Sequence, residues 1–164
     1  MAAEVAEPLH RFLVRRLRRG EVDDVLADTM LVLWRRLDEI PADAVLPWAY
    51  GVARHCLANA TRADRRRARL QMRIEGTPSL TTGEDASAEA AARRVHSALD
   101  RLGDDERELV RLWAWEELAP REIGVVLGIT ANAASIRLHR ARRRIAALLD
   151  QEDERTDPVP DMDG

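Results

Sequence analysis

The residues best suited to do chemistry lie on one stretch, Pro-Arg-Glu-Ile-Gly-Val-Val-Leu-Gly-Ile-Thr-Ala-Asn-Ala-Ala-Ser-Ile-Arg-Leu-His-Arg at 120–140. Its pattern is that of two helices joined by a tight turn. Pro120 opens the first helix, Gly128 makes the turn and Thr130 caps the second. Ile123, Leu127, Ile129 and Leu138 supply the small core between them, while Gly124 and Ala134 let the backbones approach closely. At 100° per residue, Ala134, Leu138, Ala141, Ile145 and Leu148 fall within about 40° of one line, which fixes the buried face of the second helix. The opposite face holds Asn132, Ile136, His139 and Arg143, with Ser135 and Arg140 on its flanks. The chemistry of such a face is hydrogen-bond readout of base edges. Arg takes guanine in bidentate fashion, Asn takes adenine, and Ile136 suits a thymine methyl. Arg142 to Arg144 are better placed for phosphates, which position a protein without specifying sequence. A plain helical hairpin can also show a turn glycine and solvated arginines. Here turn, cap, angular sorting and charge agree on a helix-turn-helix aimed at a major groove.

Other elements must position that face. Residues 9–19 read as a short basic helix ended near Gly20. Val22, Val25, Leu26, Thr29, Met30, Leu33, Trp34 and Leu37 follow the spacing of one buried helical stripe. Pro41 and Pro47 bracket a loop. A third helix runs from Pro47 through Trp48, Val52, Cys56 and Leu57 into an arginine-rich stretch. Residues 74–87 are rich in Gly, Pro, Ser and Thr and read as a flexible linker. Ser87 can cap a helix bearing Ala88, Ala91, Ala92, Val95, Leu99 and Leu102 on one side. Gly103 and Asp104 restart the chain into a helix with Leu109, Val110, Leu112 and Trp113. Helices over 120–127 and 131–149 follow. The expected fold is all-α, with two small helical domains. A three-helix domain occupies 1–73 and a four-helix domain with the helix-turn-helix occupies 88–149. They are joined by the linker and followed by an acidic, disordered tail over 150–164.

Composition narrows the function classes. The 164 residues carry a net charge of −3, which alone argues against nucleic acid. The distribution reverses that reading. From Asp150 onward the chain holds seven acids against one arginine, which leaves residues 1–149 at +3. Arginines cluster at 11–19, 62–73 and 137–144, and local positive stripes matter more to phosphate binding than the global sum. All 26 basic residues are arginine, a compositional bias, so the preference over lysine carries no information on bidentate recognition. Cys56 is the lone cysteine, which excludes an intrachain disulfide or a thiolate zinc cluster. His10, His55, His96 and His139 are scattered, and no phosphate loop, nucleophile motif or metal spacing occurs. The expectation is therefore no enzyme, no cofactor and no metal. With no signal-peptide pattern and no apolar run near the ~20 residues of a membrane span, a cytoplasmic location away from the membrane is expected.

Beyond the helix-turn-helix, the motif Arg-Leu-His-Arg-Ala-Arg-Arg-Arg at 137–144 resembles the C-terminal domain of extracytoplasmic-function sigma factors, a subfamily of the sigma-70 family. Asp-Arg-Leu-Gly-Asp-Asp-Glu-Arg-Glu-Leu-Val-Arg-Leu at 100–112 is similar to that domain's first helices. Val-Asp-Asp-Val-Leu-Ala-Asp-Thr-Met-Leu-Val-Leu-Trp-Arg-Arg-Leu at 22–37 resembles the polymerase-docking helix of these proteins. Pro-Trp-Ala-Tyr-Gly-Val-Ala-Arg at 47–54, with the arginines after it, resembles the segment that melts and reads the minus-ten element. The likeness runs over residues 9–149 in matching order and spacing.

That resemblance implies an alternative sigma factor that binds core RNA polymerase and directs promoter-specific initiation. Asp24, Asp28, Leu31 and Arg35 would meet the clamp helices of the polymerase's largest subunit. Leu31 and Val32 fall away from the buried stripe beside carboxylates, a mixed surface that suits a partner helix, though a solvated face with two stray apolar residues would look alike. His55, Arg62, Arg65, Arg66, Arg67 and Arg69 would handle the minus-ten region, where single-strand capture needs cations beside a stacking surface. Trp48 could serve that surface, but plain core is the favoured reading. His55 stands where the family commonly has Asn. About half a helix usual in the family has no counterpart before the first helix. Asn132, Ser135, Ile136, His139, Arg140 and Arg143 would read the minus-thirty-five element. Promoter DNA is the implied partner, with an anti-sigma factor as a further one. Two alternatives compete. A helix-turn-helix regulator acting on duplex DNA without polymerase leaves residues 22–37 and the linker unexplained. A sigma-sequestering adaptor needs no arginine-rich reading face.

Overall fold

The computed structural model describes the backbone of residues 2–71 and 86–156 and the side chains of 4–64, 66 and 91–151. Among these residues the regular structure is helical throughout. The order is α1 (Ala2–Val14), α2 (Arg19–Arg35), a 3-10 turn (Leu37–Glu39), α3 (Val45–Gln71), α4 (Ala86–Asp100), α5 (Asp104–Ala114), α6 (Pro120–Leu127) and α7 (Ala131–Thr156).

The first three helices pack on one another, and the stripe Val22, Val25, Thr29 and Leu33 of α2 is buried as expected. Thr29 is fully buried, and its hydroxyl donates to the Val25 carbonyl at 2.7 Å, which removes the cost of an unpaired polar group. Trp34 and Leu37 depart from the expectation. Trp34 is 73% exposed. It sits 100° around the helix from Leu33, lining an open groove that it shares with Val5 of α1 and with Val45 and Ala49 of α3. The helix expected at 9–19 begins instead at Ala2 and ends at Val14. Val5 extends the apolar stripe of Leu9, Phe12 and Leu13 back across Pro8, so burial outweighs the hydrogen bond that Pro8 cannot make. Gly20 then lies in the first turn of α2 rather than at the end of α1. Pro47 falls in the first turn of α3, where its missing N–H costs nothing.

In the second half, α4 buries only Ala98 and Leu99 among its described side chains, and Leu102 follows just beyond it. Ala91, Ala92 and Val95, expected on the buried side, are exposed, while Ala98 and Leu99 join the cluster with α5 and α7. Ser87 stands inside α4 rather than at its cap. Helix α7 continues past Leu149 to Thr156, so the first part of the expected disordered tail is helical. Glu, Gln and Arg are good helix formers, which supports the extension over 150–156. Positions 72–85, which include most of the expected linker, and 157–164 lie outside the described residues.

The two halves share one core. A single apolar cluster runs from Leu9, Phe12, Tyr50 and Ala53 into Leu109, Leu112, Ile123 and Val126. Phe12 and Tyr50 stack at 5.1 Å between ring centroids. Helix α3 lies against α6 closely enough that a Cβ at Gly51 would stand 3.5 Å from the Val126 carbonyl oxygen. A smaller cluster of Ala98, Leu99, Leu102, Val110, Ala141 and Leu148 holds α4, α5 and α7 together.

Candidate nucleic-acid interface

The hairpin of α6 and α7 is built as its sequence requires. The Ala119 N–H donates to the Glu122 carboxylate at 2.7 Å, which satisfies one free donor at the start of α6. Gly128 closes α6 at φ 66°, in the left-handed region that favours glycine. The Ile129 N–H bonds back to the Gly124 carbonyl at 3.0 Å. A Cβ at Gly124 would stand 2.7 Å from the Ile129 carbonyl oxygen, so the close approach needs this residue to be glycine. Thr130 Oγ1 accepts from the Ala133 N–H at 3.1 Å and caps α7.

This geometry fixes the rotation of α7. Ala134, Leu138, Ala141 and Leu148 are buried, and Ile145 is half-buried. Asn132, Ser135, Ile136, His139, Arg140 and Arg143 are all exposed on the other side, Ile136 at 46%. The expected phosphate group of arginines divides. Arg144 pairs with Glu106 at 2.9 Å, and Arg142 lies over the Trp113 ring at 4.2 Å. Both are therefore anchored to α5. Arg137 and Arg121 are exposed on the same hairpin, and the angular sorting gave no reason to single them out.

On α3, His55, Arg62 and Arg66 are exposed. Arg62 is held in place by the Ala58 carbonyl at 3.1 Å and the Asn59 side chain at 2.8 Å. Arg65, Arg67 and Arg69 belong to the same helix, but their side chains lie outside the described ones. His55 and Arg62 line a cleft of about 420 Å³ between the halves. Arg16, Arg54 and Arg111 line it too, and no sequence signal pointed to them because α1, α3 and α5 meet only in the folded chain. Burial and the neighbouring Arg16 push the Arg111 guanidinium below the usual arginine range, and its Nε is buried without a hydrogen-bond partner. Trp48 is half-buried against the core, with the Arg36 guanidinium 5.1 Å from its ring centroid.

Asp24, Asp28, Leu31 and Arg35 come together as expected, lining one groove of about 550 Å³ between α2 and α3. All four are exposed, and Leu31 shows 46% of its surface. Cys56 and Asn59 of α3 complete the floor. Burial pushes the Cys56 thiol up, a hydrogen bond involving Thr29 opposes this, and the charge of Asp28 adds to it. Trp34 lines a separate apolar groove of about 230 Å³ with Met30, Leu33 and Leu37. Among the described residues no cluster of His, Cys, Asp and Glu could hold a metal ion, and no helix is long and apolar enough to cross a membrane.

A basic helix set on a helix-turn-helix, with a second basic helix before it, is an arrangement suited to binding nucleic acid in two places. Comparison with known proteins narrows the class. Residues 1–67 match Sigma-70 region 2, and residues 92–145 match Sigma-70, region 4. The RNA polymerase sigma factor CarQ of Myxococcus xanthus is 30% identical over 149 residues, covering 90% of this chain and 86% of CarQ. The ECF RNA polymerase sigma factor SigF of Caulobacter vibrioides is 29% identical over 148 residues, covering 88% of this chain and 81% of SigF. The sigma factor RpoE from Bartonella quintana, solved in complex with the anti-sigma factor NepR, shares the fold. Its TM-score is 0.64 at 19% identity, over 90% of this chain and 93% of that one. This chain belongs to the extracytoplasmic-function subfamily of sigma-70 family RNA polymerase sigma factors. It is an alternative sigma factor, which binds core RNA polymerase and directs promoter-specific initiation, rather than a regulator acting without polymerase.

Proposed function

We propose that three surfaces divide the work of this sigma factor. Asn132, Ser135, Ile136, His139, Arg140 and Arg143 read the minus-thirty-five element as duplex in the major groove. His55, Arg62, Arg65, Arg66, Arg67 and Arg69 engage the melted minus-ten region, where cations along one helix track a single-stranded backbone. Asp24, Asp28, Leu31 and Arg35 receive the clamp helices of the largest polymerase subunit. The observation that carries this reading is the rotation of α7. Its six proposed readout side chains are exposed together, while the opposite face is packed into the hairpin core. The protein adds no chemical step of its own and works in the cytoplasm. A similar sigma factor has been solved bound to an anti-sigma factor, and a partner of that class would silence this chain by covering the same surfaces. Two linked weak sites give avidity only when the spacing between them fits, so a narrow range of promoter spacings is expected.

The three roles separate in one assay: transcription by core polymerase carrying wild-type or altered protein, with core binding measured in parallel. Asp24→Arg with Asp28→Arg reverses the charge of the groove, lowers core affinity about tenfold or more and leaves duplex binding intact. Substitutions on α7 do the reverse. Loss of both activities in both variants sinks the division of labour.

A further inference from the structure

The cleft between the halves carries a surplus of positive charge. Five arginines and one histidine line it against three carboxylates. Two of those carboxylates are already paired. Arg16, with only 4% of its side chain exposed, donates to Glu108 at 3.2 Å and to Glu116 at 2.9 Å. Arg107 donates to Asp104 at 3.1 Å and to the Leu99 carbonyl at 2.8 Å. That leaves Asp105 against Arg54, Arg62 and Arg111 on the cleft wall. Arg62 is held by neutral partners, the Ala58 carbonyl and Asn59, so its charge is not cancelled. Arg54 and Arg111 are half-buried, and among the described residues neither guanidinium has a hydrogen bond or an ion pair. Arg111 lies over the Trp115 ring at 5.4 Å, and its Nε is buried with no partner. Burial, with the like charges of Arg16 and Arg107, pushes this guanidinium below the usual arginine range. A buried cation without an acceptor is costly, and an oxyanion is the partner that removes the cost.

We propose that this cleft binds a small phosphate-bearing molecule, with the phosphate held by Arg54 of α3 and Arg111 of α5. A guanidinium presents a planar fork of donors that matches phosphate oxygens, so two of them brought together from separate helices make a directional oxyanion site. Low-dielectric walls of one net sign concentrate the field on an entering anion. The cleft volume of about 420 Å³ lies within the roughly 300–1,000 Å³ of small-molecule sites. It suits a molecule the size of a nucleoside monophosphate, rather than a polymer that must leave the site at both ends. Leu57 and Ala58 give the wall an apolar portion for the rest of the molecule. Thr61 brings a hydroxyl that donates to the Leu57 carbonyl at 3.0 Å and can still accept. Neither Arg54 nor Arg111 belongs to the minus-ten set, so substitution separates this site from that role.

The test is titration calorimetry of the full chain at low ionic strength. The probes are inorganic phosphate and adenosine monophosphate, with adenosine as the uncharged control and a short random-sequence single strand as the polymer. The expected result is saturable binding of both phosphate probes and none of adenosine. Arg54→Gln and Arg111→Gln are each expected to weaken that binding about tenfold or more, because each removes a charge-assisted contact. Asp105→Asn, an exposed change that does not put folding at risk, is expected to tighten it about threefold. Helical melts check that the variants fold. If Arg111→Gln does not, Arg54→Gln and Asp105→Asn still decide the matter. Absence of binding by both phosphate probes overturns the site, as does binding that these substitutions leave unchanged or that adenosine matches. Binding of the single strand alone, weakened by Arg54→Gln, also overturns it and gives the cleft to a nucleic-acid backbone.

Discussion

The two halves of this sigma factor solve different problems with the same material. In α6 and α7 the working surface is fixed by local chemistry. A left-handed glycine, a threonine cap and a backbone contact at Gly124 set the rotation of one helix within about 20 residues. In α1, α2 and α3 the working surfaces depend on which helix covers which face, and that is settled at long range. Arg16 illustrates the second case: its two carboxylate partners come from α5, and nothing near it in sequence announces them. A reading surface that must hold rigid geometry against duplex DNA gains from local specification. A surface that captures a melted strand can sit on a long helix whose setting the rest of the fold adjusts.

The comparison breaks most visibly at the bases. Arg140→Ala with Arg143→Ala is expected to lower promoter-specific transcription by about a hundredfold, since a good bidentate contact gives ~1–3 kcal/mol of discrimination. Run-off transcription with core polymerase measures it. A change below about twofold would detach readout from α7. Next comes the hairpin itself. Gly124→Ala forces a Cβ against the Ile129 carbonyl oxygen and is expected to cost ~1–3 kcal/mol, seen in denaturant melts. Its effect should reach minus-thirty-five binding before core binding, because the turn sets the rotation of α7 directly.

How much was legible beforehand follows the same divide. Gly124, Gly128, Thr130 and the buried line of Ala134, Leu138, Ala141 and Leu148 were readable because a helix-turn-helix is specified within one short segment. Asp24, Asp28, Leu31 and Arg35, proposed for docking, line one groove, but Val32, expected beside Leu31 on the exposed face, is half-buried against the core. Trp34 was misjudged because the stripe rule does not say how wide the covering helices are. The start of α1 was placed too late because Val5, which buries against the core from the other side of Pro8, was not read as part of the apolar stripe. Ala91, Ala92 and Val95 were misjudged because an alanine-rich helix shows an apolar stripe whether or not a neighbour covers it. The shared core between the halves had no signature at all, since its members also fit two separate domains.

Two smaller effects sharpen the contrast. Thr130→Ala removes the α7 cap and is expected to lower stability by ~1 kcal/mol, with Thr130→Ser restoring it. Tyr50 probes the other half. Burial, with help from the Glu116 charge, raises its phenol from 10.0 to about 12. The neutral form is therefore favoured in the folded chain. Its contribution is complete below pH 10 and is lost as pH rises through about 12. Alkaline melts should show that loss in wild type and a flatter profile in Tyr50→Phe. Equal slopes would mean that the phenol does not sense the closed core.

The most direct test of the central claim is initiation by purified core polymerase on a genomic fragment library, with and without this protein. The account predicts start sites that appear only with the protein and align on two upstream elements at a nearly constant separation. The upstream element should lose its influence when Arg140 and Arg143 are removed. Initiation from fragments sharing one element alone, or duplex binding with no initiation, would contradict it.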